Sequence, residues 1–352
     1  MDDSQTLFKP PPLDPSKSLI ENLLELTSLN QVYPKLFTNT RPAWHPPGAR
    51  GIFGGVTIAQ CLLAANQTVP HNFAIHSINC FFLLAGNSNI PIIYHVECLR
   101  EGKSFATRNV KAMQKEKLIF TSTISFVRLE SDRKKLIEHA EPIPPNVPIP
   151  KDDIDDGLTQ GDETGEWPYI NRRIGIVNIT SPNPHEKFTH QWVKARGKIS
   201  ASGSHQIHLA ALAYMSDSYL IGVIPRVHNI WRFTRPPFTE LILPGDDLWM
   251  HSKIHGEIPI LDREERLENE DLEIGMMVTL NHTMFFHNPL KVRADEWMLT
   301  ELRSHWAGDE RGVAYQKIWT KDGVLIASCI QEAVIRLKQD DIKTEKECTS
   351  KL

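Results

Sequence analysis

The chain has 352 residues, of which 41% are hydrophobic and 23% charged, the composition of a soluble globular protein with room for two ordinary domains. A formal net charge of −4 excludes a general nucleic-acid binder, which needs a concentrated basic face. No apolar run approaches the roughly 20 residues needed to span a bilayer, and five cysteines without a CxxC spacing argue for free thiols in a reducing compartment, not a disulfide framework or zinc site.

In chain order, residues 1–17 are proline-rich and open on acid, which predicts a disordered leader and resembles neither a secretory signal nor a transit peptide. A short helix is expected from Ser18, with Glu21 placed three residues on for a capping box; a strand is the alternative for its C-terminal half. At 51–69, Gly54 and Gly55 open a helix that is apolar or small on nearly every face, so it must be surrounded by protein. Strand-like runs at 91–99, 104–113 and 117–127 follow, separated by breaks short enough for hairpins. A buried helix and antiparallel strands predict a helix wrapped in a curled sheet over 18–130.

The texture changes over 131–185, where prolines and seven acidic residues between 152 and 166 read as a linker or surface loop. A second domain is expected over 186–337, with a strand at 191–199, a buried helix at 205–222 and a charge-rich inserted segment at 223–275. It closes on a hairpin with Asp322-Gly323 at the turn. The tail, 338–352, ends in Ser350, Lys351 and Leu352, the tripeptide read by the peroxisomal import receptor, so a location in the peroxisome matrix is expected.

The two domains echo each other. His76 and His282 begin similar segments at an offset of 282 − 76 = 206, Arg100 and Arg108 align with Arg303 and Arg311 at 303 − 100 = 203, and Leu118 lies over Val324 at 324 − 118 = 206. A near-constant offset over three segments reads as two copies of one fold. The copies differ at Ser125 against Gln331, and at Asn66 against Asp217 by helix pattern, and an active site is sought in those differences.

No GxSxG elbow, GxGxxG, P-loop or HExxH is present, so hydrolysis would use a positioned water, and no metal or cofactor is implied. Asp217 stands at the end of an apolar helix, Thr279 precedes the His282 strand, and Gln331 stands mid-strand among apolar residues. Each alone is ambiguous: such an aspartate more often caps a helix, strand threonines are ordinary, and a mid-strand glutamine often faces solvent. The recurring His76 and His282 favour a structural role with the ring bonded to nearby backbone, and Arg100 and Arg108 are expected to face water, with contact to phosphates as the alternative.

The segments RGIFGG (50–55), HSINCFF (76–82), ECLREGKSFATRNV (97–110), IFTSTISF (119–126), AYMSDSYL (213–220), VTLNHTMFFH (278–287) and DGVLIASCIQEAVIR (322–336) resemble the type II acyl-CoA thioesterases, in particular their peroxisomal eukaryotic branch. The resemblance implies an α+β chain of two tandem hot-dog domains, each a long helix wrapped by antiparallel strands, joined in one continuous sheet. It implies hydrolysis of fatty acyl-CoA, with the family's Asp, Ser or Thr, and Gln trio falling on Asp217, Thr279 and Gln331. The chain departs from the family at Asn281, where an acidic residue is frequent, and in the length of 218–277. A hot-dog enoyl-CoA hydratase is the first alternative, but it would want a D-x-N-x-x-H pairing that this sequence lacks; a non-catalytic acyl-CoA-binding protein is the second. A fused pair already forms its dimer within one chain, and further homo-oligomers through exposed sheet faces are compatible with the pattern.

Overall fold

The helix expected at Ser18 forms as α1 (Leu19–Leu24), and the Glu21 carboxylate accepts the Ser18 backbone N–H at 2.8 Å as a capping box should. The structure is a computed structural model and describes residues 10–44, 51–129, 137–145, 147–150, 167–200, 204–218, 220–230 and 272–339. Most of the inserted segment, the start of the leader and the Ser350-Lys351-Leu352 tripeptide lie outside the described residues.

In the first half, β1 (Leu26–Ser28) and β2 (Leu36–Asn39) precede α2 (Gly54–Asn66). Then come β3 (Phe73–Phe82), β4 (Ile93–Glu101), β5 (Phe105–Gln114) and β6 (Lys117–Arg128). Lys115 and Glu116 both take positive φ (46° and 64°), the backbone that a two-residue hairpin turn requires. The second half holds β7 (Tyr169–Val177), β8 (Phe188–Ala195), α3 (His205–Ser216), α4 (Val223–Val227), β9 (Ile274–Phe286), β10 (Met298–Gly308), β11 (Arg311–Thr320) and β12 (Leu325–Leu337).

All twelve strands form one sheet, in the order β1-β2-β4-β5-β6-β3-β9-β12-β11-β10-β8-β7. The two halves meet where β3 pairs antiparallel with β9, and Ile78 stands opposite Met284. Since 284 − 78 = 206, Ile78 faces its own counterpart in the repeat, which places the two-fold relation of the halves at that pair. The Cys80 thiol, donating to the His282 carbonyl at 3.1 Å, adds a bond across the seam.

Two elements differ from expectation. Residues 169–177, read as part of a linker, pair with β8 and end the sheet, because their β-forming run is short and follows an acidic stretch that dominates the local composition. The helix expected over 205–222 stops at Ser216, and the chain turns before α4. The described residues 137–150 lie against the second half: the Trp319 and Trp192 indoles donate to the carbonyls of Glu141 (3.0 Å) and Pro148 (2.7 Å), and Ile143 and Val147 pack beside Trp192, Trp297 and Leu299.

The sheet curls around α2 and α3, which pack on each other. From Val56 to Ala65 every residue of α2 is buried, which explains a helix without a polar face. The close approach has a sequence cause: a Cβ on Gly55 would collide with the Tyr214 carbonyl oxygen of α3. The start of α2 therefore sits against the end of α3.

Candidate active site

Where those two helix ends meet the seam, Asp217, Thr279 and Gln331 come together. Asp217 is the C-cap of α3, Thr279 lies on β9 and Gln331 on β12. The Gln331 Nε2 group donates to Asp217 Oδ1 at 2.6 Å and to Thr279 Oγ1 at 2.9 Å, and Gln331 is fully buried. One primary amide thus spends its two N–H bonds on the other two residues. Because Thr279 Oγ1 accepts, its own hydroxyl proton is available to a third group.

A β-bulge makes this possible. Opposite Ala333 stands Thr279 and opposite Glu332 stands Asn281, so Leu280 is the extra residue on β9. Side chains on a regular strand alternate, and residues three apart point to opposite faces. The extra residue lets Thr279 and His282 both turn toward the helices. Asn281 is turned away and donates to Glu332 Oε2 at 2.9 Å, so the departure from the family at this position lies beside the trio, not in it.

The other helix end supplies Gly54. An added Cβ there would stand 2.6 Å from Asp217 Oδ2 and 2.6 Å from the Phe82 ring, so only glycine allows the carboxylate this position. The N-terminal turn of α2 carries backbone N–H groups that have no acceptor within the helix, and Gly54, which opens that turn, is the residue beside the carboxylate.

His282 stands directly opposite Gln331 and is fully buried. Its Nε2 lies 3.1 Å from Ser216 Oγ, the residue before Asp217. Burial pushes the imidazole pKa down to about 4, against which hydrogen bonding with the Gln331 side chain pulls upward. The ring is therefore neutral near pH 7. Its partners are side chains, where the sequence suggested backbone. Ser216 is the site neighbour that reading residue types does not single out; for Gly54 and His282, the glycine pair opening an apolar helix and the recurrence of the histidine were the available signals.

The halves are less alike than their sequences. Ile78 is opposite Ile124 and Met284 opposite Cys329, so the offset that is 206 on the seam strands becomes 329 − 124 = 205 on β6 and β12. The counterpart of Gln331 is thus the buried Phe126, not Ser125, whereas the C-cap equivalent to Asp217 is Gln67, one residue past Asn66. His76 falls on a bulge of its own, bonds Ser125 Oγ at 2.8 Å and meets the Phe105 ring, so it occupies the opposite sheet face from His282. Arg108 is buried rather than facing water: it donates to Thr68, Glu101 and the carbonyls of Thr68, Arg100 and Thr107, which leaves nothing for a phosphate.

Comparison with known proteins agrees with this architecture. The profile of the "Acyl-CoA thioesterase C-terminal domain" matches residues 151–335, and that of the "Acyl-CoA thioesterase N-terminal domain" matches 41–127. The chain belongs to the acyl-CoA thioesterase family. This thioesterase is 31% identical to acyl-coenzyme A thioesterase 8 of Homo sapiens over 93% of its own length and 92% of the relative's. It is 29% identical to acyl-CoA thioesterase 2 of Haemophilus influenzae, with 91% and 99% covered. Among solved structures, acyl-CoA thioesterase II of Mycobacterium marinum superposes with a TM-score of 0.62 at 25% identity, covering 91% of the thioesterase and 98% of that chain. A hot-dog protein of unknown function from Alicyclobacillus acidocaldarius shares the fold, with a TM-score of 0.58 at 17% identity and 91% and 98% covered. The fold is α+β, two hot-dog units in one continuous sheet.

Proposed function

We propose that Asp217, Thr279 and Gln331 activate the water with which this enzyme hydrolyses acyl-CoA to a fatty acid and free CoA. The observation that carries the assignment is the Gln331 amide, which donates to Asp217 at 2.6 Å and Thr279 at 2.9 Å from a fully buried position. A half-buried carboxylate and hydroxyl held by one fully buried amide form a pre-set cradle for a water molecule.

In the reaction, Asp217 takes a proton from that water as its oxygen attacks the thioester carbonyl carbon. Thr279 offers its hydroxyl proton to the water or to the carbonyl oxygen. The oxyanion is met by backbone N–H groups at the start of α2, beside Gly54 and Gly55, where a helix N-terminus favours negative charge. Collapse of the tetrahedral species breaks the C–S bond, and the proton held on Asp217 leaves with the CoA sulfur. The first half carries Phe73 and Phe126 where the second carries Thr279 and Gln331, so the reading assigns one site to each chain.

Release of free thiol from palmitoyl-CoA, followed with a thiol reagent, tests the assignment. Asp217→Asn and Gln331→Ala should each lower kcat, the former by about 10²- to 10⁴-fold; wild-type rates in both would remove the trio from the chemistry. An enoyl-CoA hydratase would consume the enoyl absorbance without freeing CoA.

The domain limits belong to the same proposal, with the first domain at 18–130, the second opening on β7 at Tyr169 rather than at 186 and running to 337, and the insertion ending before β9 at Ile274, as does a peroxisomal location. The latter is supported by a relative in Saccharomyces cerevisiae named peroxisomal acyl-coenzyme A thioester hydrolase 1, 27% identical over 91% of this chain, and by the Ser350-Lys351-Leu352 sequence as an import-receptor signal. A fluorescent fusion that keeps those three residues C-terminal should enter peroxisomes and should stay outside when they are deleted.

A further inference from the structure

We infer that His282 is a positioning residue that sets which way round the Gln331 amide sits, by donating its Nδ1–H to Gln331 Oε1. The inference rests on the reading of Asp217, Thr279 and Gln331 as the catalytic trio. It begins with two buried atoms. Among the described residues, His282 Nδ1 and Gln331 Oε1 are both buried without a partner at full hydrogen-bonding geometry, and they belong to residues directly opposite each other on β9 and β12. Buried polar atoms are nearly always paired, and two orphans on facing residues are each other's natural partner.

Charge decides the direction of the bond. An amide can sit either way round, and the two placements exchange a donor for an acceptor. With Nε2 toward Asp217 Oδ1 at 2.6 Å, the amide donates to a carboxylate; turned over, its oxygen would face the carboxylate oxygen at that distance and both would repel. The ionised base that hydrolysis requires therefore directs Oε1 toward His282. A bare Nδ1 there would set lone pair against lone pair, so the neutral imidazole carries its proton on Nδ1.

The other ring nitrogen must then accept. Ser216 Oγ lies 3.1 Å from Nε2 and 2.8 Å from the Ala213 carbonyl, so one hydroxyl rotor reaches both acceptors. Turning the Ser216 proton to Nε2 completes the line Ser216–His282–Gln331–Asp217. Ala213 gives up only a bond from a serine three residues on, the weaker kind of local bond in a helix. Nothing in the line needs a proton to transfer: each member fixes the orientation of the next.

The titratable and charged groups packed around His282 agree with this. Asp217 faces it through Gln331; Cys80 and Cys329 adjoin from β3 and β12, and burial raises both thiols well above their usual range. Tyr214 on α3, whose ring meets Phe53 and Tyr169 and which feels the charge of Asp217, is likewise held protonated by burial. Among the described neighbours so named, none supplies a cation that would replace the donor.

Two measurements test the inference. In protein labelled with ¹⁵N-histidine, the His282 resonance, identified by its loss in His282→Asn, should report a neutral ring protonated on Nδ1 at pH 7; a ring protonated on Nε2 alone overturns the proposal without any variant having to fold. In kinetics, His282→Leu should lower kcat by about 10- to 100-fold with KM within about threefold, the signature of a misplaced catalytic group. His282→Asn, whose amide can present N–H near the Nδ1 position, should recover most of that loss, and His282→Leu should add little to Gln331→Ala. Folded His282→Leu protein with wild-type kcat, or His282→Asn no better than His282→Leu, overturns it. If Gln331→Ala is itself fully active, the trio reading fails instead, and the ¹⁵N result still stands on its own.

Discussion

Gly54 faces Asp217 so closely that a Cβ on the glycine would lie 2.6 Å from Oδ2 of the carboxylate. The start of one internal helix and the end of the other are thus a single feature, and it sits on the proposed base. Gly54→Ala should displace the carboxylate and the Phe82 ring together. We expect kcat to fall by about 10- to 100-fold and stability to fall by about 1–3 kcal/mol, the cost of overpacking a tight site. Thiol release and urea unfolding measure the two; a folded variant with wild-type kcat would mean that the Asp217 position is not critical.

Gln331→Glu tests the electrostatics of the cradle. It replaces a donor 2.6 Å from Asp217 Oδ1 with a second acid. Two carboxylates at that distance cannot both ionise readily, so the pair's upper apparent pKa rises. The acid limb of kcat/KM should move up by about one pH unit or more, with a lower maximum rate. An unmoved acid limb would separate Gln331 from the group that titrates.

His282 predicts how stability responds to acid. Its pKa is depressed by burial from 6.5 to about 4 in the folded chain. Between these values the unfolded chain binds a proton that the native site refuses, so stability is full above about pH 6.5 and falls as pH drops toward 4. The loss should reach about 3 kcal/mol from this group. Urea midpoints at pH 7.5, 6 and 5 should show it, and His282→Asn should flatten that part of the profile. An equal slope in the variant would assign the loss to other groups.

Arg108 and Arg311, aligned by the sequence offset although the strand register makes Gln316 the counterpart of Arg108, should behave differently. Arg108 is fully buried on five oxygen partners, whereas Arg311 is about half exposed beside Glu332. Arg108→Ala should cost about 2–4 kcal/mol through unsatisfied carbonyls and a cavity, with KM for acyl-CoA unchanged. Arg311→Ala should cost under about 1 kcal/mol. A stable Arg108→Ala protein with a much higher KM would return that residue to substrate binding.

Much of the architecture was legible because its causes are local. The α2 residues Val56 to Ala65 have no polar face, and a helix without one has to lie inside a sheet, whatever its partners. Asp322-Gly323 and the short breaks between strands announced hairpins for the same local reason. The 206-residue offset predicted a two-fold relation that the structure places at Ile78 and Met284. Strand β7 was obscured because nine residues of strand were read together with the acidic stretch before them.

Local patterning along the chain was enough for the two helices that must be buried, the hairpins and the paired halves, and resemblance supplied the three residue types of the trio. Tertiary structure alone decided which faces those residues share. Strict alternation would send Thr279 and His282 to opposite sides of β9; the extra residue Leu280 turns both inward. A different bulge, at His76, turns the corresponding histidine of the first half the other way. A bulge depends on how one strand meets its neighbour, and on the helix ends that crowd against it, so no count along a single strand could place it.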